Sequence, residues 1–477
     1  MSFEDVILIN PFPQSASGIN EATIYPPIGL AYLASVLRNS NIKVKIIDAN
    51  LMKLTSNQVL EMLVSENPDL IGISLNIITG KAGIDLARLI KERIKSKVCL
   101  GGPLVSTNSE KILEISQADI AVIGEGENTL LEICKRKKFS KIKGIVWKSE
   151  DGCINNNGLP DLIDNLDTIP IPAYDLLPPF IKYHSMARKV PIGTIITSRG
   201  CPYNCSFCNH NIFGKKFRAF SPEYVIEEIK LLITQYGIKQ LDILDDNFTL
   251  DIKRADRILD LIIENKFNLL INLQNGVRAD RLTQSIVKKM KKAGVFKAGI
   301  GIETGSMQIM RDIEKDLDLH KASQAVDWFR KEGIITIGFF IIGFPTDTRE
   351  IIEETINFAI KINPSIANFC ILIPFPGTEI YFYMKRKNLL NENVDIGITT
   401  GFYQSKLYHR CLHLSYKEVY HLQTRAYRKF NFRIHKIVEI LFQIRSVSEL
   451  RWLVEASVQV IQNLFIKNKN NGQGQTR

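Results

Sequence analysis

The sequence predicts an α/β chain with two successive parallel sheets, the first doubly wound and the second a partial (β/α)6 barrel, followed by a helical extension. Three observations lead there. Short apolar runs alternate with amphipathic stretches through the first third of the chain. A proline-rich interval then interrupts the rhythm, and the alternation resumes at Pro191 with longer repeats. After about residue 400 the pattern is purely helical. A chain of 477 residues exceeds one small core, so several domains are expected.

In order, strands are expected at 6–9, 44–47, 70–74, 97–100 and 120–123, with helices at 28–37, 82–95 and from Asn128. Asp48, Gly101-Gly102-Pro103 and Gly124-Glu125-Gly126-Glu127 end strands, where open α/β sheets bind ligands. Ile145-Val146-Trp147, Asp151-Gly152 and 155–158 suggest a small hairpin, and Pro160, Pro170, Pro172, Pro178 and Pro179 an extended connector. Strands at 193–198, 240–245, 269–274, 296–302, 335–342 and 367–373 alternate with helices near 222–235, 252–264, 285–293, 321–331 and 350–360. Ser221-Pro222 is a helix start, an N-cap hydroxyl followed by proline at the first helical position. Six such units form a partial barrel with its function on the loops at the strand carboxyl ends. The expected boundaries are a first domain at 1–139, a connector at 140–190, a barrel at 191–400 and a helical region at 401–477.

Composition narrows the class. An apolar content of 45% with 23% charged residues is ordinary for a globular protein. The start of the chain has neither a basic n-region nor an apolar h-region, and no run approaches the ~18 apolar residues of a membrane span. Cys99, Cys134, Cys153, Cys370 and Cys411 are scattered and form no disulfide framework, so a reducing, cytoplasmic compartment is expected. The net charge is +11, and residues 411–477 hold eleven Lys/Arg against four Asp/Glu, a local excess of seven. There Arg425-Ala-Tyr-Arg-Lys-Phe-Asn-Phe-Arg433 interleaves rings with cations, and apolar stripes follow at 437–444 and 453–465. Packing against the barrel is the leading reading of these helices. Peripheral membrane contact comes second, and nucleic acid is not an expected partner.

The remaining three cysteines carry the chemistry. Cys201, Cys205 and Cys208 stand at C-x3-C-x2-C spacing directly after a predicted strand. Three thiolates hold three irons of a four-iron cluster and leave the fourth open to a ligand. The competing reading is zinc with His210 as fourth ligand, although zinc sites usually come as two separated pairs. Phe207 precedes the last thiol, where its ring could cover an adenine or pack the loop.

The segment Ser198-Arg-Gly-Cys-Pro-Tyr-Asn-Cys-Ser-Phe-Cys208 resembles the radical S-adenosylmethionine (SAM) superfamily. The resemblance implies a [4Fe-4S] cluster on the three cysteines, with SAM bound at the open iron and cleaved on reduction to a 5′-deoxyadenosyl radical. It also implies a one-electron donor such as flavodoxin or ferredoxin. Asp245 and Asp246, in Leu244-Asp-Asp-Asn-Phe-Thr249, fall where the family contacts the SAM amino group. Glu303, in Gly299-Ile-Gly-Ile-Glu-Thr-Gly305, resembles the acid that meets the ribose, and Gly343 lies in a segment similar to the one flanking the adenine.

The first third resembles the cobalamin-binding-domain branch, which includes the anaerobic magnesium-protoporphyrin monomethyl ester cyclase and lipid C-methylases. The matching elements are Ile9-Asn10-Pro11, Tyr25 to Ala34, Asp48, Gly101-Gly-Pro103 and Gly124-Glu-Gly-Glu127. The resemblance implies a Rossmann-like cobalamin domain with Asn10, Gly29, Ser74, Gly101, Gly102, Gly124 and Glu125 as contacts. Tight glycine and proline turns let backbone approach a flat macrocycle closely. One departure is plain. No histidine precedes His184, so the D-x-H-x-x-G cobalt-ligating motif of many such domains is absent. The implied reaction is methylation of an unactivated carbon or phosphorus centre of a small molecule, with radical cyclisation or rearrangement as the alternative. A domain kept without its cofactor, a non-enzymatic zinc protein and a methylthiotransferase are the other readings.

Overall fold

The computed structural model describes residues 3–13, 24–183, 187–391, 408–434 and 436. The first sheet has the order β2-β1-β3-β4-β5-β6-β7. Its strands are β1 (Asp5–Asn10), β2 (Lys43–Asp48), β3 (Leu70–Ser74), β4 (Lys97–Gly101), β5 (Ile120–Val122), β6 (Ile145–Lys148) and β7 (Ile154–Asn156). The first five run parallel. The hairpin strands β6 and β7 then extend the sheet antiparallel, so the hairpin joins this sheet and does not stand apart in the connector.

Alternation along the strands feeds two separate cores. Ile7, Ile9, Ile71, Ile73, Val98 and Leu100 pack against helices Gly80–Arg93 and Pro103–Ser116. Val6, Leu8, Leu70 and Cys99 meet Leu30, Ala34 and Leu37 of helix Ile28–Asn39 on the other face. Side chains that alternate across a strand and are apolar on both faces produce this doubly wound arrangement. The order reverses between β1 and β3, which opens a crevice beyond their carboxyl ends.

The second sheet is six-stranded, in the order β15-β14-β13-β12-β11-β8. Its members are β8 (Ile192–Ile195), β11 (Gln240–Ile243), β12 (Leu270–Val277), β13 (Val295–Glu303), β14 (Ile335–Ile342) and β15 (Ile366–Ile371), all parallel. The single strand expected at 193–198 divides. After β8 the chain leaves the barrel, and β9 (Ser198–Arg199) pairs antiparallel with β10 (Arg218–Ala219) as a short ribbon. Helix Pro222–Tyr236 starts where expected, Ser221 accepting the Tyr224 N–H, and its stripe of Val225, Ile229 and Leu232 is buried against the sheet.

Helix Ile28–Asn39 joins the two halves. Its Leu30, Ala34 and Leu37 belong to the first sheet's core, while Ile28, Ala31 and Tyr32 belong to the barrel's. The connector contributes Leu166, Ile169, Tyr174, Leu177 and Phe180 to the barrel core, and Tyr183 donates to Asp48 at the end of β2. Beyond residue 408, helix Tyr416–Asn431 buries Val419, Leu422, Ala426 and Phe430 on the barrel. The apolar stripes at 437–444 and 453–465 lie outside the described residues. Among the described residues no helix is long and apolar enough to cross a membrane.

Candidate active site at the facing carboxyl ends

The cysteines sit on the loop thrown out by the β9–β10 ribbon. Gly200 opens that loop at φ +82°, and a Cβ there would lie 2.3 Å from the Lys216 carbonyl oxygen, so only glycine fits. Cys208 and Asp246 are both exposed to solvent. Burial pushes the Cys201 and Cys205 thiols up, and Cys208 to about 12, while Lys315 draws all three back down and Arg278 acts likewise on the first two. Arg278 also stacks on the Tyr203 ring at 3.6 Å within the loop.

Three of the predicted SAM contacts are gathered here. Phe207 meets Phe344 edge-on at 6.0 Å, which places the cysteine loop against the turn that begins at Gly343. That turn has φ +86° at Gly343 and is held on both sides. Asp347 accepts the Gly343 and Phe344 N–H groups at 2.7 and 2.9 Å, and His409 Nε2 lies 2.8 Å from the Gly343 oxygen. Glu303 ends β13 in a left-handed conformation (φ +68°), a region that non-glycine residues adopt uncommonly. Its partner is Lys315, 2.6 Å away, a residue missed in the sequence because it lies twelve positions on, past the short helix Met307–Asp312.

Two of the predicted acids are engaged by partners within the protein. Asp245 does not face the mouth. It is buried, and it accepts the Thr197 N–H and hydroxyl and the Ser198 hydroxyl, so it anchors the ribbon, while Asp246 is exposed, accepts the Gly200 N–H and lies beside Cys201 and Cys208. Glu125 gives both oxygens to Arg199, Arg218 and the Ile163 N–H. Gly29 lies in helix Ile28–Asn39, where the helix expected at 28–37 places it. The missed residues are therefore Arg199, Arg218, Glu127 and Lys315. Ribbon strands of two residues carry no periodicity that could have marked the arginines.

The donor sets suit the implied groups. Among the described residues no three His, Cys, Asp or Glu side chains converge as one metal ion requires, whereas a cubane takes three thiolates on separate irons. Asn10, Ser74 and Gly101 surround the crevice end of the first sheet, and Asn10 donates to Asp48. A Cβ on Gly101 would meet nothing nearer than 4.0 Å, so the missing side chain leaves open backbone where a flat ligand can lie. Gly102 at φ +98° and Gly124 at φ +69° shape the two neighbouring turns. Inside the barrel, Asp242, Asn272 and Lys297 stand in register across three strands, and Asp242 accepts the Gln240 and Asn272 amides. The same concave face continues through half-buried Ile337 and Phe339.

A triple-cysteine loop at the mouth of a six-stranded parallel barrel, facing the ligand edge of a doubly wound sheet, defines a radical SAM protein with a corrinoid-type domain. The radical SAM superfamily model matches residues 195–359, and the B12 binding domain model matches residues 17–134. An uncharacterized methyltransferase of Pyrococcus horikoshii is 36% identical over 450 residues, covering 93% of this chain and 96% of that protein. This chain belongs to its family, the radical SAM enzymes that carry a B12-binding domain. It is also similar to the cytidylyl-2-hydroxyethylphosphonate methyltransferase of Streptomyces wedmorensis, at 26% identity with 79% of this chain and 81% of that protein covered. The fold matches that of the cobalamin-dependent SAM radical enzyme OxsB with aqua-cobalamin bound, with a TM-score of 0.74 at 18% identity, covering 95% of this chain and 71% of that one.

Proposed function

We propose that this chain is a cobalamin-dependent radical SAM methyltransferase acting on an unactivated carbon or phosphorus centre of a small molecule. The observation that carries the reading is the direct junction of the B12-binding domain's last strand-end loop, at Glu125 and Glu127, with the cysteine loop, at Arg199. Two cofactor edges in contact across one mouth are what a shared substrate needs. The names of the P. horikoshii and S. wedmorensis relatives support methyl transfer.

When bound, the cluster and SAM supply the radical and the corrinoid supplies methyl chemistry. The chain's own residues hold and exclude. Cys201, Cys205 and Cys208 are the cluster ligands of this reading. Asp246 is the partner for the SAM amino group, Glu303 orients the ribose, and Phe207, backed by the buried Phe344 ring, covers the adenine and keeps water out. Asn10, Ser74, Gly101, Gly102 and Gly124 are the corrinoid contacts. The concave face from Asp242 to Phe339 offers a polar floor and an apolar wall to the substrate. A flavodoxin or ferredoxin delivers the electron, in a reducing cytoplasmic compartment.

The test is anaerobic reconstitution with iron and sulfide in protein from cobalamin-fed cells. Iron and cobalt content, 5′-deoxyadenosine, and transfer from methyl-labelled SAM into cell extract are then followed. Cobalt near one per chain and a labelled small-molecule product are expected. A cluster-loaded chain with no cobalt and no labelled product would overturn the methyltransferase reading. Cyclisation is the second reading, favoured by 26% identity over 390 residues to the anaerobic magnesium-protoporphyrin IX monomethyl ester cyclase of Rubrivivax gelatinosus. It predicts 5′-deoxyadenosine without label in the product.

A further inference from the structure

The ribbon that closes the cysteine loop places Arg199 and Arg218 directly opposite each other. Like charges at facing positions of an antiparallel pair repel and weaken it. Both guanidinium groups are buried, with 2% of each side chain exposed, so water does not screen them. No carboxylate of the barrel meets either one among the described residues. The neutralising charge comes from the other domain.

Glu125 lies between them, on the loop after β5. One oxygen accepts Arg199 Nη1 at 3.1 Å, and Arg218 Nη1 reaches both oxygens at 2.9 and 2.8 Å. Glu127 takes Arg199 Nη2 at 2.6 Å. The rest of the environment fixes the arginines in place. Arg199 lies between the Tyr32 and Phe213 rings, at 5.3 and 5.1 Å, and Arg218 donates to the Ile163 and Phe213 carbonyls. Two cations and two carboxylates thus balance at the base of the loop, and the loop between them, residues 200–217, carries all three thiols.

We propose that Glu125 is a positioning residue for the cluster. It is the counter-ion that lets the Arg199–Arg218 ribbon close, so the B12-binding domain sets the geometry of the loop that holds the iron. The proposal rests on the radical SAM reading. It assigns the Gly124–Glu127 loop a duty toward the second cofactor site in addition to any contact with a corrinoid. It also makes the two domains interdependent in assembly.

The test compares full-length wild type, Glu125→Gln and the double variant Glu125→Gln/Arg218→Gln after anaerobic reconstitution with iron and sulfide. Iron per chain and the EPR spectrum of the dithionite-reduced cluster are read with and without SAM. Wild type is expected to take up a four-iron cluster and to change its spectrum on adding SAM. Glu125→Gln is expected to lose about half or more of the iron, or the SAM-induced change, because a buried charge is left unpaired. The double variant is expected to recover both, since removing one arginine removes the repulsion. A generic packing defect would instead accumulate and show no recovery. Glu127→Gln, which strips one of Arg199's two carboxylates, serves if Glu125→Gln does not fold, and is expected to show a smaller loss in the same direction. Wild-type iron and SAM response in the single variants, or a double variant no better than Glu125→Gln, overturns the proposal. A wild-type chain that takes up no cluster overturns the radical SAM reading and the proposal with it.

Discussion

The Tyr174 hydroxyl lies 2.5 Å from Glu228 Oε1 and 3.0 Å from the Thr194 carbonyl oxygen, in the buried seam between connector and barrel. One hydroxyl hydrogen cannot serve two acceptors. The arrangement is satisfied when Glu228 is protonated and donates to Tyr174, which then donates to Thr194. Burial pushes the Glu228 carboxyl up to about 8, helped by the nearby Asp245 charge, against the pull of the Tyr174 contact.

A pH dependence of stability follows from that proton. The folded chain keeps it up to about pH 8, whereas the unfolded chain releases it near the ordinary value of 4.5. Between these values the native state binds more protons, so this site's contribution falls as pH rises and is flat above about 8. Each pH unit separating the two values is worth about 1.4 kcal/mol. Glu228→Gln keeps a donor toward Tyr174 and has nothing to titrate. Denaturant melts of the two proteins are expected to coincide near pH 4.5 and to separate in the variant's favour up to pH 8. A constant gap at every pH would refute the shared proton.

Gly200→Ala tests the start of the cysteine loop. Alanine at φ +82° costs about 1–2 kcal/mol for handedness alone. Its Cβ would also overlap the Lys216 oxygen, 2.3 Å away, so the ribbon must open. The expected outcome is a folded chain, with helical content unchanged by circular dichroism, that retains several-fold less iron after reconstitution. Full iron content in the variant would mean that the loop tolerates a different path.

At the far side of the mouth, Glu303 pairs with Lys315, its one ion pair among the described residues. Glu303→Gln is expected to weaken SAM binding about tenfold, the scale of one charge-assisted hydrogen bond, while leaving iron uptake intact. Calorimetric titration of SAM into the reconstituted protein is the measurement. Unchanged affinity would move the ribose contact to another residue.

The architecture was legible because alternation reports directly on two-sided burial. The runs at 70–74 and 335–342 fell at β3 and β14 with the same bounds. The thiols were legible because their spacing is itself the signal. Asp245 and Asp246 were not separable in the sequence. Neighbouring residues leaving a strand point to opposite sides, but which side is the mouth depends on how the chain turns after β11. The pairing of Glu125 with the ribbon arginines was hidden for a related reason. A strand-end acid in a doubly wound sheet faces ligand in the isolated domain, yet here a second domain with two arginines covers that edge. Contacts between domains leave no local periodicity, so sequence reasoning had no access to them.

The Gly343 turn gives a final prediction, in which acid and cofactor affinity are read on one side chain. Because the Gly343 oxygen is an acceptor, His409 must carry its hydrogen on Nε2, and its buried Nδ1 has no partner among the described residues. Burial lowers the imidazole to about 4, against the Gly343 hydrogen bond. The sign is opposite to that of Glu228. The unfolded chain protonates His409 near the ordinary 6.5 while the folded chain does not, so stability is lost as pH falls from about 6.5 to about 4. His409→Gln preserves an N–H donor for Gly343 without a titrating group, so it is expected to resist that loss and to bind SAM as wild type does. His409→Ala removes the donor, leaves the buried carbonyl unpaired and is expected to cost about 1–3 kcal/mol. It should also weaken SAM binding, because the turn then lacks its hold on that side. Melts at pH 5 and pH 7 with SAM titrations on all three proteins decide it. Equal SAM affinity in wild type and His409→Ala would show that the turn keeps its shape without the histidine.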